Sequence, residues 1–170
     1  MNAIQPTDQI CKAHLSWWLG EFEKALHAGD RDALLALFAE ESHWRDMLAF
    51  TWNVTPHDDP VSIVDDLIRT QPSVQARNFQ IAAGRTPPRQ LKRLGVSVFE
   101  AIISFETEQG RCHGVLRLPV DQPQKAWIFA TSLTELKGHE EPIGPNRPTG
   151  SAYSRNFGGA NWLDLREREQ

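Results

Sequence analysis

The chain has few of the residues that would tie it to a metal, a membrane or a nucleic acid. Its two cysteines stand at positions 11 and 112, and no further ligands follow at a metal-binding spacing. No apolar run is long enough to span a bilayer, and residues 1–8 lack the segments of a secretory signal. The net charge of −4 gives no overall attraction to nucleic acid or to an anionic membrane. These absences predict a cytoplasmic protein with reduced thiols and no metal.

Tyrosine is scarce and tryptophan is abundant. The only tyrosine is Tyr153, whereas six tryptophans are present and four of them precede residue 53. Because tryptophan buries a large apolar area, this N-terminal part predicts a core, a pocket wall or an interface. The longest basic stretch, Arg85–Arg93, is interrupted by two prolines and predicts a solvated loop.

The first part of the chain has the apolar periodicity of helices. Apolar residues recur at three-to-four-residue spacing over Asp8–Ala28, and Gly29 ends this helix. A second helix is predicted over Arg31–Ala39. A third is predicted over Pro60–Arg69, with Asp59 as its cap and proline at the favoured first position.

Strands joined by tight turns follow the helices. The predicted strands cover residues 43–47, 50–55, 74–82, 90–107, 111–120 and 126–136. The strand over residues 90–107 is expected to bend near Gly95. This order predicts an α+β domain over residues 1–137, in which three N-terminal helices pack on the concave side of a strongly curved antiparallel sheet. The space between helices and sheet would form a cone-shaped pocket. Residues 138–170 are rich in proline and glycine and predict an extended tail or linker.

The predicted strands carry apolar side chains on both faces. On the longest of them, Phe99 and Ile103 share one face, while Val96, Val98 and Ile102 share the other. A sheet with one face in solvent would alternate more cleanly. Two interpretations remain open: a curved sheet with a wet patch, or a second buried face and therefore a homodimer.

One motif precedes the first strand. The stretch Gly29-Asp-x-x-Ala-Leu, followed by Phe38-Ala-Glu-Glu, resembles the NTF2-like superfamily, in particular its SnoaL-like and ketosteroid-isomerase-like branches. The resemblance covers about residues 8–137. It implies the NTF2-like cone, which agrees with the α+β class predicted from the residues.

A narrower resemblance extends into the tail. His43-Trp-Arg-Asp, Ala49-Phe-Thr-Trp, residues 134–150 and Asn161-Trp-Leu-Asp look like the N-terminal domain of flavin-containing monooxygenase-like proteins. In those proteins, such a tail leads into an FAD-binding domain. This sequence contains no Gly-x-Gly-x-x-Gly, so no cofactor is expected and monooxygenase activity does not carry over. The resemblance implies instead a flavin-dependent oxidoreductase as a possible partner.

The resemblance to ketosteroid-isomerase-like proteins implies a general base at Asp46. Such a base needs an apolar pocket and a donor that stabilises the developing oxyanion. The phenolic donor expected on the first helix is absent, because the only tyrosine is in the tail. Strand alternation places Trp44 and Asp46 on one face and Arg45 on the other.

Five aromatic residues are candidates for lining a ligand pocket around the Asp46 carboxylate: Trp18, Phe22, Trp44, Trp52 and Trp127. Plain core packing is the competing interpretation. Three hypotheses for function follow. The domain binds a small apolar molecule or a partner, as an accessory to a flavin monooxygenase-like system; or it is a stand-alone isomerase-like enzyme that uses Asp46; or it is a structural dimerisation domain.

Overall fold

The computed structural model describes residues 6–143, 147 and 162–168. It divides into two compact units, Met1–His139 and Glu140–Gln170. The second unit contains the short helix α4 (Trp162–Arg168). Most of the predicted tail lies outside the described residues, so the division into 1–137 and 138–170 stays a prediction. No helix in the described ranges is long and apolar enough to cross a membrane.

Three helices of the first unit begin where the sequence places them or within two residues. Asp30 accepts a hydrogen bond from the Ala33 amide (3.0 Å), and Asp59 accepts one from the Ser62 amide (2.8 Å). Each bond satisfies a backbone N–H that the first helical turn leaves unpaired. The helices are α1 (Pro6–Ala28), α2 (Arg31–Ala36) and α3 (Pro60–Val74).

Seven strands form one curved sheet, and the predicted α+β class is confirmed. Their order is β2-β1-β7-β6-β5-β3, with β4 also paired to β5. The sheet is mixed rather than wholly antiparallel, because β1 runs parallel to β7. The strands are β1 (Phe38–Met47), β2 (Val54–His57), β3 (Arg77–Ile81), β4 (Arg89–Arg93), β5 (Val96–Glu106), β6 (Gly110–Pro119) and β7 (Ala126–Leu136).

The segment predicted as one bent strand over residues 90–107 is a hairpin. Leu94 and Gly95 both have positive φ, 47° and 86°, as the two central residues of a type I′ turn do. Arg93 and Val96 flank this turn as register partners. The expected bend is therefore a full reversal, which makes β4 a separate strand beside β5.

Aromatic rings fill the space between the helices and the inner face of the sheet. Trp18 stacks on Phe22 with 4.9 Å between ring centroids, and Phe22 meets Phe79 edge-on at 5.2 Å. Ring contacts of this kind add to the burial of apolar area. In order, the neighbouring rings are Trp18, Phe22, Phe79, Phe105, Phe50 and Trp44.

The packing around Gly114 of β6 leaves no room for a side chain on the inner face of the sheet. An added Cβ would lie 2.1 Å from the carbonyl oxygen of Ala130 and 3.1 Å from Cγ1 of Ile103. We expect Gly114→Ala to lower the free energy of unfolding by about 1–3 kcal/mol, measured by denaturant titration. In the control Gly20→Ala, on α1, the new Cβ has no neighbour within 4 Å apart from adjacent residues and the backbone of its own helix. Helix propensity should therefore stabilise this variant by up to about 1 kcal/mol. Equal stability of both variants would contradict this packing.

Candidate functional site

The Asp46 carboxylate is fully buried on the inner face of β1, with 0% of the residue exposed. Its Oδ1 accepts hydrogen bonds from the Ala49 amide (3.2 Å) and the Thr131 hydroxyl (2.7 Å). Its Oδ2 accepts from the Phe50 amide (3.0 Å), the Thr51 amide (2.8 Å) and the Thr51 hydroxyl (2.8 Å). Five donors from the protein therefore engage both oxygens of the proposed base.

These bonds fold the chain that follows β1 back over its own carboxylate. Leu48 and Trp52, at the two ends of this loop, adopt positive φ values of 68° and 56°. Thr131 lies opposite Asp46 in the parallel pair, donates to it, and accepts a bond from Nε1 of Trp44 (2.9 Å). One buried network thus joins the loop, an aromatic side chain and the strand pair β1/β7.

The structure brings three of the five predicted pocket aromatics into the core and leaves two outside it. Trp18, Phe22 and Trp44 are less than 2% exposed and belong to the series of neighbouring rings. Trp52 is 49% exposed in the loop after β1, and Trp127 is partly buried on β7. The side chains around the carboxylate are packed against one another.

A surface groove lies between α1 and α2, and Asp46 is not among its lining residues. Its volume is about 360 Å³. The half-exposed indole of Trp17 forms one wall, and small side chains such as Ala25 and Ala33 form the floor. Glu21 and Lys24 lie at its edge. The groove is thus apolar inside and charged at the rim.

The outer face of the sheet carries side chains that the strand register aligns in rows. One row crosses β1, β7, β6 and β5 through Arg45, Ala130, Val115 and Ile102. Arg45 therefore points away from the core, as strand alternation predicts. We define the outer-face patch as the apolar residues of this row and its neighbours: Met47, Val54, Ile102, Val115, Ile128 and Ala130.

The members of the outer-face patch are incompletely covered by the chain itself. Met47 is 40% exposed and Val54 is 69% exposed, while the remaining four residues are partly buried. The residues directly behind them on the inner face, such as Ile103 and Leu116, are fully buried. The central strands consequently present apolar side chains on both faces.

Three arginines converge on Glu100 beside the outer-face patch, and we name these four residues the arginine cluster. Glu100 accepts bonds from Nη2 of Arg89 (2.9 Å), Nε of Arg93 (3.1 Å) and Nε of Arg117 (2.8 Å). Its side chain is 9% exposed, whereas those of the arginines are 27–51% exposed. Burial alone would raise the pKa of Glu100, but the hydrogen bonds from the arginines outweigh it and lower that pKa to about 2.

The arginine cluster is not predicted by the sequence analysis. The solvated loop expected over Arg85–Arg93 does not extend to Arg89–Arg93, which forms β4, as the strand predicted from residue 90 indicated. Two signals could have revealed the cluster. Arg89 and Arg93 lie at even spacing, so a strand presents both on one face. A glutamate within the apolar run of β5 also calls for cationic partners, because lone carboxylates are rarely buried.

The environments of Cys112 and His113 indicate no catalytic role for either side chain. Cys112 is buried, and burial raises the pKa of its thiol to about 12, so the thiol is inert near neutral pH. Burial and the nearby charge of Arg85 lower the pKa of His113. In the part of the chain that the structure describes, no three His, Cys, Asp or Glu residues group as metal ligands would.

Solved structures share this fold at low sequence identity. A cystatin-like fold protein from Burkholderia xenovorans LB400 is 16% identical, over 76% of this chain and 93% of that chain, with a TM-score of 0.51. A domain of unknown function with a cystatin-like fold from Nostoc punctiforme PCC 73102 is 10% identical, over 78% and 80%, with a TM-score of 0.51. An NTF2-like protein from Burkholderia xenovorans LB400 is 14% identical, over 72% and 91%, with a TM-score of 0.41.

The chain matches no protein-family model and no curated protein. The first two likenesses show a shared cystatin-like α+β fold. Function has to be argued from the site, because unrelated activities occur on one fold.

We expect Asp46→Asn to destabilise the protein by about 3 kcal/mol, because an amide cannot accept all five hydrogen bonds that the carboxylate accepts. Thermal and denaturant unfolding measure the loss. The control Asp58→Asn changes an aspartate whose side chain is 82% exposed and paired with His43, and it should shift stability by less than about 0.5 kcal/mol. An Asp46→Asn variant as stable as the wild type would contradict a structural role.

The arginine cluster predicts a specific acid sensitivity. The folded-state pKa of Glu100, about 2, lies below its ordinary value of 4.5. Ionised Glu100 therefore stabilises the fold above pH 4.5, and this contribution is lost as the pH falls from 4.5 towards 2. Unfolding free energies measured across this window should fall more steeply for the wild type than for Glu100→Gln. Parallel curves would show that the cluster does not stabilise the ionised carboxylate.

Proposed function

We propose that this protein is a non-catalytic NTF2-like association domain that forms a homodimer through the outer face of its sheet. We further propose that it serves as an accessory module of a flavin-dependent oxidoreductase system. The observation that supports the first part best is the outer-face patch on the central strands. The alternatives are an isomerase-like enzyme and a domain that binds a small molecule in a pocket inside the cone.

The surroundings of Asp46 favour a structural role over acid–base catalysis. A general base must reach the proton that it abstracts, directly or through one water. Asp46 has no exposed surface, and both its oxygens accept bonds from protein donors. To act as a base, the carboxylate would have to leave these donors. That movement would break the hydrogen bonds that hold the loop after β1 and the bond from Thr131.

The outer-face patch favours self-association. A sheet with one solvated face alternates apolar and polar residues, whereas β6 and β7 place Val115, Ile128 and Ala130 on the outer face, opposite the face on which α1–α3 pack. A contiguous group of apolar side chains that the chain leaves partly exposed is typical of association surfaces. A two-fold dimer is the commonest assembly of soluble proteins, and it buries the same patch on both copies.

The proposed link to flavin enzymes rests on the resemblance of residues 43–52, 134–150 and 161–164 to flavin-containing monooxygenase-like proteins. In such a system this domain would supply association rather than redox chemistry. The small apolar molecule expected from the sequence would bind in the groove between α1 and α2, where Trp17 can stack on a planar ring.

The dimer predicts a mass of twice 19.3 kDa by light scattering coupled to size exclusion. Ala130→Arg places a charge at the centre of the outer-face patch and should yield a folded monomer. Met47→Arg, at a position already 40% exposed, is a second variant with little risk to folding and should weaken the dimer. Leu94→Arg, at the exposed tip of the β4–β5 turn, is the control and should leave the mass unchanged. A monomeric wild type, or a dimer that survives Ala130→Arg, would contradict the proposal.

A further inference from the structure

The arginine cluster has more positive charge than its carboxylate neutralises. Two guanidinium groups come from β4 and one from β6, and all three bond to the single carboxylate of Glu100. Among the described residues, Glu100 is the only acidic side chain that pairs with Arg89, Arg93 or Arg117. One negative charge against three positive charges leaves the cluster cationic.

The cluster also has hydrogen-bond donors to spare. Arg117 bonds Glu100 through Nε (2.8 Å), which leaves both of its terminal nitrogens for another acceptor. Arg89 and Arg93 each use Nε and Nη2 on Glu100. These bonds hold the guanidinium planes in fixed orientations, so Glu100 preorganises the donors and lowers the entropy lost on binding.

A depression of about 190 Å³ lies against these guanidinium groups. Arg89, Arg93, Arg117 and their shared partner Glu100 form its charged side. Its other side is apolar and includes Pro87, which is exposed. The apolar lining comprises Pro87, Ala101, Ile102 and Val115. A ligand that fits both sides has an anionic group and a compact apolar body.

We propose that the arginine cluster binds the carboxylate of a small organic acid. Guanidinium groups match the planar geometry of a carboxylate and bind it through paired N–H donors. Arg117 contacts the ligand, Glu100 positions the arginines, and Pro87, which lies outside the outer-face patch, contacts the apolar body. This site goes beyond the proposed association function, and its test reads ligand binding rather than oligomeric state, so failure of one does not imply failure of the other.

A purely structural role of the cluster is the competing explanation. In that case the ion pairs would only hold β4 against β5, because β4 pairs with no other strand. A structural cluster would bind no added carboxylate in a saturable way. It would also make no distinction between a carboxylate and a neutral molecule of the same shape.

The test is a titration of the full ¹⁵N-labelled chain with benzoate, followed by backbone and arginine Nε–H signals. Benzamide is the neutral isostere, and inorganic phosphate is an anion without an apolar body. Arg117→Gln should weaken benzoate binding at least about tenfold, because it removes charged donors. Arg45→Gln removes the same charge from the same sheet face and should change the affinity less than about twofold. Arg89→Gln, at a side chain 51% exposed, is a second variant and should also weaken binding.

The proposal requires saturable benzoate binding, with signal changes at Arg117 and Thr86 and with weaker binding of both benzamide and phosphate. It is overturned if benzoate binding does not saturate, or if benzamide binds equally well. It is also overturned if phosphate binds as tightly as benzoate, since the apolar wall would then contribute nothing. An equal loss of affinity in Arg45→Gln and Arg117→Gln would also overturn it, because it would show that benzoate responds only to the general charge of the surface.

Discussion

The burial of one carboxylate organises much of this fold. Asp46 ends the inner face of β1, and a carboxylate without solvent must find its hydrogen bonds within the protein. Three successive backbone amides of the following loop and the Thr131 hydroxyl supply them. The same threonine accepts from Trp44, so the network fixes the parallel pair β1/β7 that joins the first strand to the last. The loop, part of the aromatic core and the pairing of β1 with β7 therefore share one buried side chain.

The Asp46 carboxylate is engaged by protein donors and rings fill the interior, so we place the proposed functions on the surface of the domain. Two features adjoin there. Apolar side chains such as Ala130 and Val115 occupy the central strands, and the cationic arginine cluster lies beside them on β4, β5 and β6. Apolar area favours association with a second copy, whereas excess guanidinium charge favours a small anion. In the two proposals made above, one sheet face combines assembly with ligand recognition.

Local signals in the sequence predict the local parts of this fold well. Asp59 followed by Pro60 fixes the start of α3, because cap and proline act within one turn. Long-range pairing is much harder to predict. No local pattern indicates that β1 lies parallel to β7. The sequence therefore does not predict that Thr131 is the hydrogen-bond partner of Asp46. The sequence also does not predict the hairpin at Leu94, because leucine rarely adopts positive φ. Missing that hairpin meant missing the approach of Arg89 to Glu100.

The most direct test of the central claim, that the outer face rather than the interior is the functional surface, is an isotope-filtered NOE experiment on a mixture of labelled and unlabelled protein. Contacts between copies then appear separately from contacts within one copy. The account predicts intermolecular NOEs among the methyl groups of Val115, Ile128 and Ala130. It is contradicted if no intermolecular NOEs appear, or if they map to the groove between α1 and α2 instead.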